Sequence, residues 1–265
     1  NFTGLWQNFR ALLDKKALIN YLVRSSQHSS YFRNLLGRLW LLLDPMAHLC
    51  IYYFVVVEVF QARMRLGVNP FVFIMAGLAH YQIIQTAVNS AKNAILSKRS
   101  ILLQIKVEPL LFVAAAFREG LAQAAIFLII YVGFFFWLGP PLTSRALLYP
   151  FILIALITTA WSFSVMAASL VVFFRDLQQA IAILLRLVLY ICPIIYPLGF
   201  VPQAFRELYL YNPLACLFAW LQWSLLGGAQ PSTGPTLMLI AILPCLLLTA
   251  HSIYNHLQLR FTKVL

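Results

Sequence analysis

Charge is scarce in this sequence. Lys, Arg, Asp and Glu make up 10% of 265 residues, against about 25% in soluble domains. Acids are scarcer still: Asp14, Asp44, Glu58, Glu108, Glu119, Asp176 and Glu207 are the whole set. Their dispersion gives little support to a catalytic carboxylate pair. No glycine is followed by lysine, so a G-x-x-x-x-G-K-[ST] phosphate loop is absent and the chain does not bind ATP in that way. H-E-x-x-H and G-x-S-x-G are missing too, which removes two hydrolase signatures. Cys50, Cys192, Cys216 and Cys245 stand singly without C-x-x-C spacing. They read as buried thiols rather than metal ligands or disulfides.

Apolar residues fill the space that charge leaves. The chain is 62% hydrophobic with a mean hydropathy of +0.85, well above the soluble range of roughly 45 to 50% apolar. It is an integral membrane protein by composition, and no stretch is long and polar enough to form a soluble domain. The first 38 residues hold no uninterrupted apolar core of a secretory signal, so membrane entry is expected to use internal spans.

Runs of about 20 apolar residues fall at about 39–60, 70–91, 110–138, 147–174, 177–196 and 235–256. These predict an all-α membrane protein with six spans. The run from Leu214 to Leu226 is too short to cross, so the region at about 197–230 is read as re-entrant or interfacial. Residues 1–38 form an N-terminal segment, 39–256 the spanning domain and 257–265 a tail.

A net charge of +12 suits nucleic acid in a soluble protein. In a membrane protein it reports orientation. With six spans, one side receives Arg10, Lys15, Lys16, Arg24, Arg33, Arg38, Lys92, Lys98, Arg99, Lys106, Arg175, Arg260 and Lys263, and the other only Arg63, Arg65, Arg145 and Arg206. Cations are retained on the cytoplasmic side. Both termini are therefore expected in the cytoplasm.

Within residues 5–23, Leu5, Trp6, Phe9, Leu12, Leu13, Leu18, Ile19, Leu22 and Val23 recur near helical spacing, with Arg10, Lys15, Lys16 and Asn20 between them. That pattern suits an amphipathic helix lying in the cytoplasmic interface, with a helix packed on the spanning domain as the alternative. Inside the spans, polar residues align. At about 100° per residue, Asp44, His48, Tyr52 and Glu58 share an arc of the first span. Gln82, Gln85 and Asn89 recur in the second beside His80, and Gln179, Arg186 and Tyr190 share a face of the fifth. An ionisable group in hydrocarbon costs about 2.5 to 3.5 kcal/mol, so such faces avoid lipid. They either bond between helices or line a water-accessible path.

Several motifs together resemble one family. Arg33, Leu36, Gly37, Leu39, Trp40, Leu42, Leu43 and Pro45 form R-x-x-L-G-x-L-W-x-L-L-x-P; VFFRDL spans Val172 to Leu177; Cys192-Pro-Ile-Ile-Tyr-Pro197, Tyr211-Asn-Pro-Leu214 and Leu259-Arg-Phe261 follow. In order and content they resemble the permeases of bacterial polysaccharide-export ABC transporters, which serve O-antigen, capsular polysaccharide or teichoic acid. VFFRDL and the closing Arg260-Phe261 lean to the O-antigen branch, whereas Asp44-Pro-Met-Ala-His48 is similar to capsule exporters, where Glu is usual at the position of Asp44.

That resemblance implies six helices, an N-terminal interfacial helix, re-entrant helices after the fifth span and a location in the bacterial inner membrane. It implies a homodimer around a channel for a lipid-linked glycan, O-antigen above all. Two cytoplasmic ATPase subunits would bind ATP and Mg, leaving this chain without cofactor, metal, nucleic acid or catalytic residue of its own. Channel-lining candidates are then Asp44, His48, Tyr52, Gln82, Gln85, Arg186 and Tyr190, with Tyr52 and Tyr190 able to stack on sugar rings. Coupling candidates at the ATPase side are Asn93, Ser97, Lys98, Arg99, Arg175 and Asp176. Arg33, Gly37, Trp40 and Pro45 mark an interfacial hinge. The alternatives are a permease for a lipid, drug or peptide, or a membrane-embedded glycan-modifying enzyme.

Overall fold

A computed structural model describes residues 68–104 and 107–264, together with Lys15, Ile19, Asn20, Leu22, Val23, Leu43, Met46, Ala47, Cys50, Ile51, Tyr53 and Phe54. The described residues form helices and loops without a strand. Helix α1 is Pro70–Ala91, α2 is Ala94–Ser97, α3 is Arg99–Gln104, α4 is Pro109–Leu138, α5 is Tyr149–Val171, α6 is Leu177–Ile191, α7 is Gln203–Leu210, α8 is Pro213–Leu226 and α9 is Thr233–Val264. Short 3-10 turns at Ser144–Leu148 and Leu198–Phe200 join them. The first span at about 39–60 lies outside the described residues except at scattered positions, as do Arg33, Gly37, Trp40, Asp44, Pro45, His48, Tyr52 and Glu58.

Four described segments, containing α1, α4, α5 and α9, are long and apolar enough to cross a membrane. The least apolar of them, α1, is the most enclosed: 83% of its most apolar window is buried, against 17% in α4 and in α9. Protein contacts satisfy polar and small side chains that lipid does not, so the central helix tolerates His80, Gln82 and Gln85 while the outer ones stay apolar. α1 packs most extensively on α4, then on α5, and α5 packs on α9. Small residues set the α1–α4 spacing. A methyl group on Gly120 would lie 2.6 Å from the Ala87 Cα and from the Thr86 carbonyl, and the Thr86 hydroxyl donates to the Gly120 carbonyl at 2.8 Å.

Helix ends follow local chemistry. Asn69 caps α1 by accepting the Phe71 N–H at 2.9 Å, with Pro70 at the first turn. α4 also opens on a proline, and the free Leu110 N–H is taken by the Tyr254 hydroxyl of α9 at 3.1 Å. Thr158, Thr159, Ser162, Ser164 and Ser169 of α5 each bond a carbonyl four residues back. Their hydroxyls are satisfied inside the helix, so α5 remains effectively apolar.

Two boundaries differ from the sequence reading. α6 stops at Ile191 rather than about 196, because Cys192 precedes Pro193 and takes an extended conformation. Its 15 residues reach about 22 Å, short of a ~30 Å hydrocarbon core. α9 runs through the residues set apart as a tail, and its 32 residues span about 48 Å, so it extends beyond the hydrocarbon. Of the cysteines, Cys192 and Cys216 are buried, but Cys50 and Cys245 lie on the surface of the chain, an apolar placement suited to lipid rather than to a protein core.

Candidate functional site: an exposed polar face and a basic end

The polar residues of α1 mostly serve packing. His80 is fully buried, with Nδ1 2.7 Å from the Ala76 carbonyl and Nε2 2.9 Å from the Tyr149 hydroxyl. A carbonyl only accepts, so Nδ1 carries the proton and a neutral ring accepts at Nε2 from Tyr149. The Tyr131 ring closes the group edge-on at 5.4 Å. Gln82 is buried and Gln85 half-buried in the single chain. Asn89 accepts from Lys92 Nζ at 2.8 Å.

α6 behaves differently. Gln179, Ile183, Arg186 and Tyr190, at i, i+4, i+7 and i+11, form one exposed face. A guanidinium and an amide on the outside of an otherwise apolar helix are unsuited to lipid. The flanking loop is held firmly: Gln222 of α8 donates to the carbonyls of Pro193 at 2.6 Å and Tyr196 at 3.2 Å. The Tyr196 hydroxyl in turn bonds the Tyr190 carbonyl at 2.9 Å and the Tyr209 hydroxyl at 3.0 Å.

At one end of the helices the coupling candidates gather. Asn93, Ser97 and Lys98 line a cavity of about 210 Å³ with Leu22, Ser90, Phe112 and Glu119. Asn93 Oδ1 is buried without a hydrogen-bond partner, and Arg99 is exposed beside the cavity. Ile19 and Val23 of the N-terminal segment pack on Leu111 and Ala115 of α4, and Asn20 accepts a hydrogen bond from Arg118. This part of the segment thus rests on protein. Glu108 lies nearby; burial pushes its carboxyl above the ordinary range and Lys15 opposes the shift.

Arg175 and Asp176 are exposed in the turn between α5 and α6. Two motifs distant in sequence meet here, since Phe173 of VFFRDL contacts Phe261 of α9 at a centroid distance of 6.0 Å. Phe261 also meets Tyr254. Nothing local in either motif announces this pairing. Lys92, Lys98, Arg99, Arg175 and Arg260 all belong to this end, whereas Arg145 stacks over Trp223 at the other.

Other chemistry finds little support among the described residues. No group of three His, Cys, Asp or Glu could hold a metal. Glu207 sits on α7, at the end opposite Glu108 and Asp176. A groove of about 390 Å³ between α1, α5, α6 and α8 is lined by apolar side chains such as Ile84, Phe163, Met166 and Val188.

Residues 18–226 match the family model described as ABC-2 type transporter. The chain is 28% identical over 238 residues to an O-antigen export system permease protein RfbA of Klebsiella pneumoniae, covering 89% of this chain and 90% of that one. It is 26% identical over 257 residues to the protein of the same name from Myxococcus xanthus, covering 96% and 97%. A multi-pass helical membrane protein matched over most of its length in this way belongs to the ABC-2 type transporter family.

Proposed function

We propose that this chain is the membrane-spanning subunit of an ATP-driven exporter that moves a lipid-linked polysaccharide, of the O-antigen type, across the bacterial inner membrane. The observation that carries the reading is the exposed Gln179–Arg186–Tyr190 face of α6, in a chain alignable over nearly its whole length with O-antigen export permeases. A guanidinium on that face needs water or another polar surface. A second copy supplies both, if two α6 faces enclose a channel.

In this assembly the helices described here join a first span at about 39–60, and α7 and α8 form the re-entrant region on the external side. The basic end faces the cytoplasm, as retention of cations requires. Both chain termini lie on that side. Asp44, His48 and Tyr52 of the first span, Gln82 and Gln85 of α1, and Arg186 and Tyr190 of α6 line the path. Amides and aromatic rings at many positions hold sugars weakly, so each unit leaves as the next enters.

ATP and Mg belong to two partner subunits. They dock against the recess of Asn93, Ser97 and Lys98, against Arg99, and against the turn of Arg175 and Asp176. Closure of the ATPase pair on ATP biases the dimer between shut and open channel states. The hinge at Arg33, Gly37, Trp40 and Pro45 lets the N-terminal segment follow. Deleting the gene tests the function in cells: surface glycan should disappear while its lipid-linked form accumulates inside, and a plasmid copy should restore export. Unchanged surface glycan in the deletion strain would reject the reading.

A further inference from the structure

Three contacts join α1 to the path of α6, and each ends on a main-chain carbonyl. Lys92, directly after α1, donates from Nζ to the Gln178 carbonyl in the first turn of α6 at 3.3 Å, while Asn89 steadies the same ammonium at 2.8 Å. Eleven residues earlier, the buried Tyr81 hydroxyl donates to the Leu185 carbonyl at 2.6 Å. Further along, Gly77 lies so close to the Ile194 carbonyl that a methyl group has no room.

Residues 178 and 185 are seven apart, so they lie on nearly the same face of the helix. That face is turned away from the exposed one of Gln179, Ile183, Arg186 and Tyr190. A helical carbonyl keeps a second lone pair after its own ladder bond. Tyr81 and Lys92 use it at Leu185 and Gln178, so side-chain changes on α6 leave the attachments intact.

We infer that Lys92 is a positioning residue that fastens the cytoplasmic loop to α6, making α2–α3, α1 and α6 one lever between the ATPase side and the channel face. The loop carrying Asn93, Ser97, Lys98 and Arg99 begins at Lys92 itself. A push on that loop is delivered to the first turn of α6 through the ammonium; Tyr81 keeps α1 and α6 in register beyond it, and Gly77 seats α1 against the loop that follows α6. Without Lys92 the loop still moves, but α6 no longer follows at its cytoplasmic end. This inference rests on the exporter reading.

The test uses the full permease–ATPase complex in lipid vesicles. Lys92→Met should assemble and hydrolyse ATP at the wild-type rate while glycan export per ATP falls about tenfold, a loss within the range of ordinary coupling energies. Lys92→Arg, whose guanidinium still donates to both acceptors, should recover most of the export. Equal export by Lys92→Met and wild type, or equal loss of hydrolysis and export, overturns the role.

A spin-label pair with one label on α1 and one on α6 of the wild-type complex judges the lever without any glycan. Its distance should stay constant on ATP binding while the distance between the two α6 helices changes. An α1–α6 change as large as the α6–α6 change overturns it. Failure of the wild-type complex to move glycan counts against the exporter reading alone.

Discussion

Gly120 has little freedom to change, because α1 and α4 cross at that point. Replacing it with alanine sets a methyl group 2.6 Å from the backbone of Ala87, and overpacking of this kind costs about 1 to 3 kcal/mol. Gly133, on the same helix, has nothing within 4 Å of an added methyl, so Gly133→Ala should be neutral or slightly stabilising. Thermal unfolding of the purified protein in detergent separates the two. A lowered midpoint for Gly120→Ala but not for Gly133→Ala is expected; equal midpoints would contradict the close crossing. Neither glycine is distinguished by its own neighbours in sequence. The same is true of His80, which reads as one more polar residue of α1 until Tyr149, 69 positions away, arrives at its Nε2.

Among the elements, α6 carries the functional argument. Its polar periodicity is legible in sequence because Gln179, Arg186 and Tyr190 share one face whatever surrounds the helix. Its length is less legible: hydropathy runs on through Cys192-Pro-Ile-Ile-Tyr-Pro197, and the helix stops where Pro193 restricts Cys192. If the exposed face lines a water-filled channel, a cysteine replacing Tyr190 should react with a membrane-impermeant thiol reagent in the ATP-bound complex. A cysteine replacing Phe151, exposed on the apolar α5, should stay unlabelled. Full protection at position 190 would remove that residue from the path. The contacts at the basic end are the least legible of all, since Phe173 with Phe261 and Lys92 with Gln178 join segments 88 and 86 residues apart.

At the scale of the molecule, composition alone identifies the solvent as lipid, and charge alone divides the chain into two sides. The described helices give both a physical form: α1 at the centre holds the polar and small residues, α4 and α9 present apolar surfaces, and Lys92, Lys98, Arg99, Arg175 and Arg260 collect at one end. Periodicity cannot supply the assembly, because the face of α6 needs a second surface to be understood. Transport is therefore a property of the complete complex. The most direct measurement reconstitutes the chain with its ATPase partner in vesicles, with lipid-linked glycan and ATP on the ATPase side, and follows glycan reaching the opposite side. Transfer that requires hydrolysable ATP and is lost in Arg186→Leu is the predicted result. Absence of transfer by a wild-type complex that hydrolyses ATP would contradict the account.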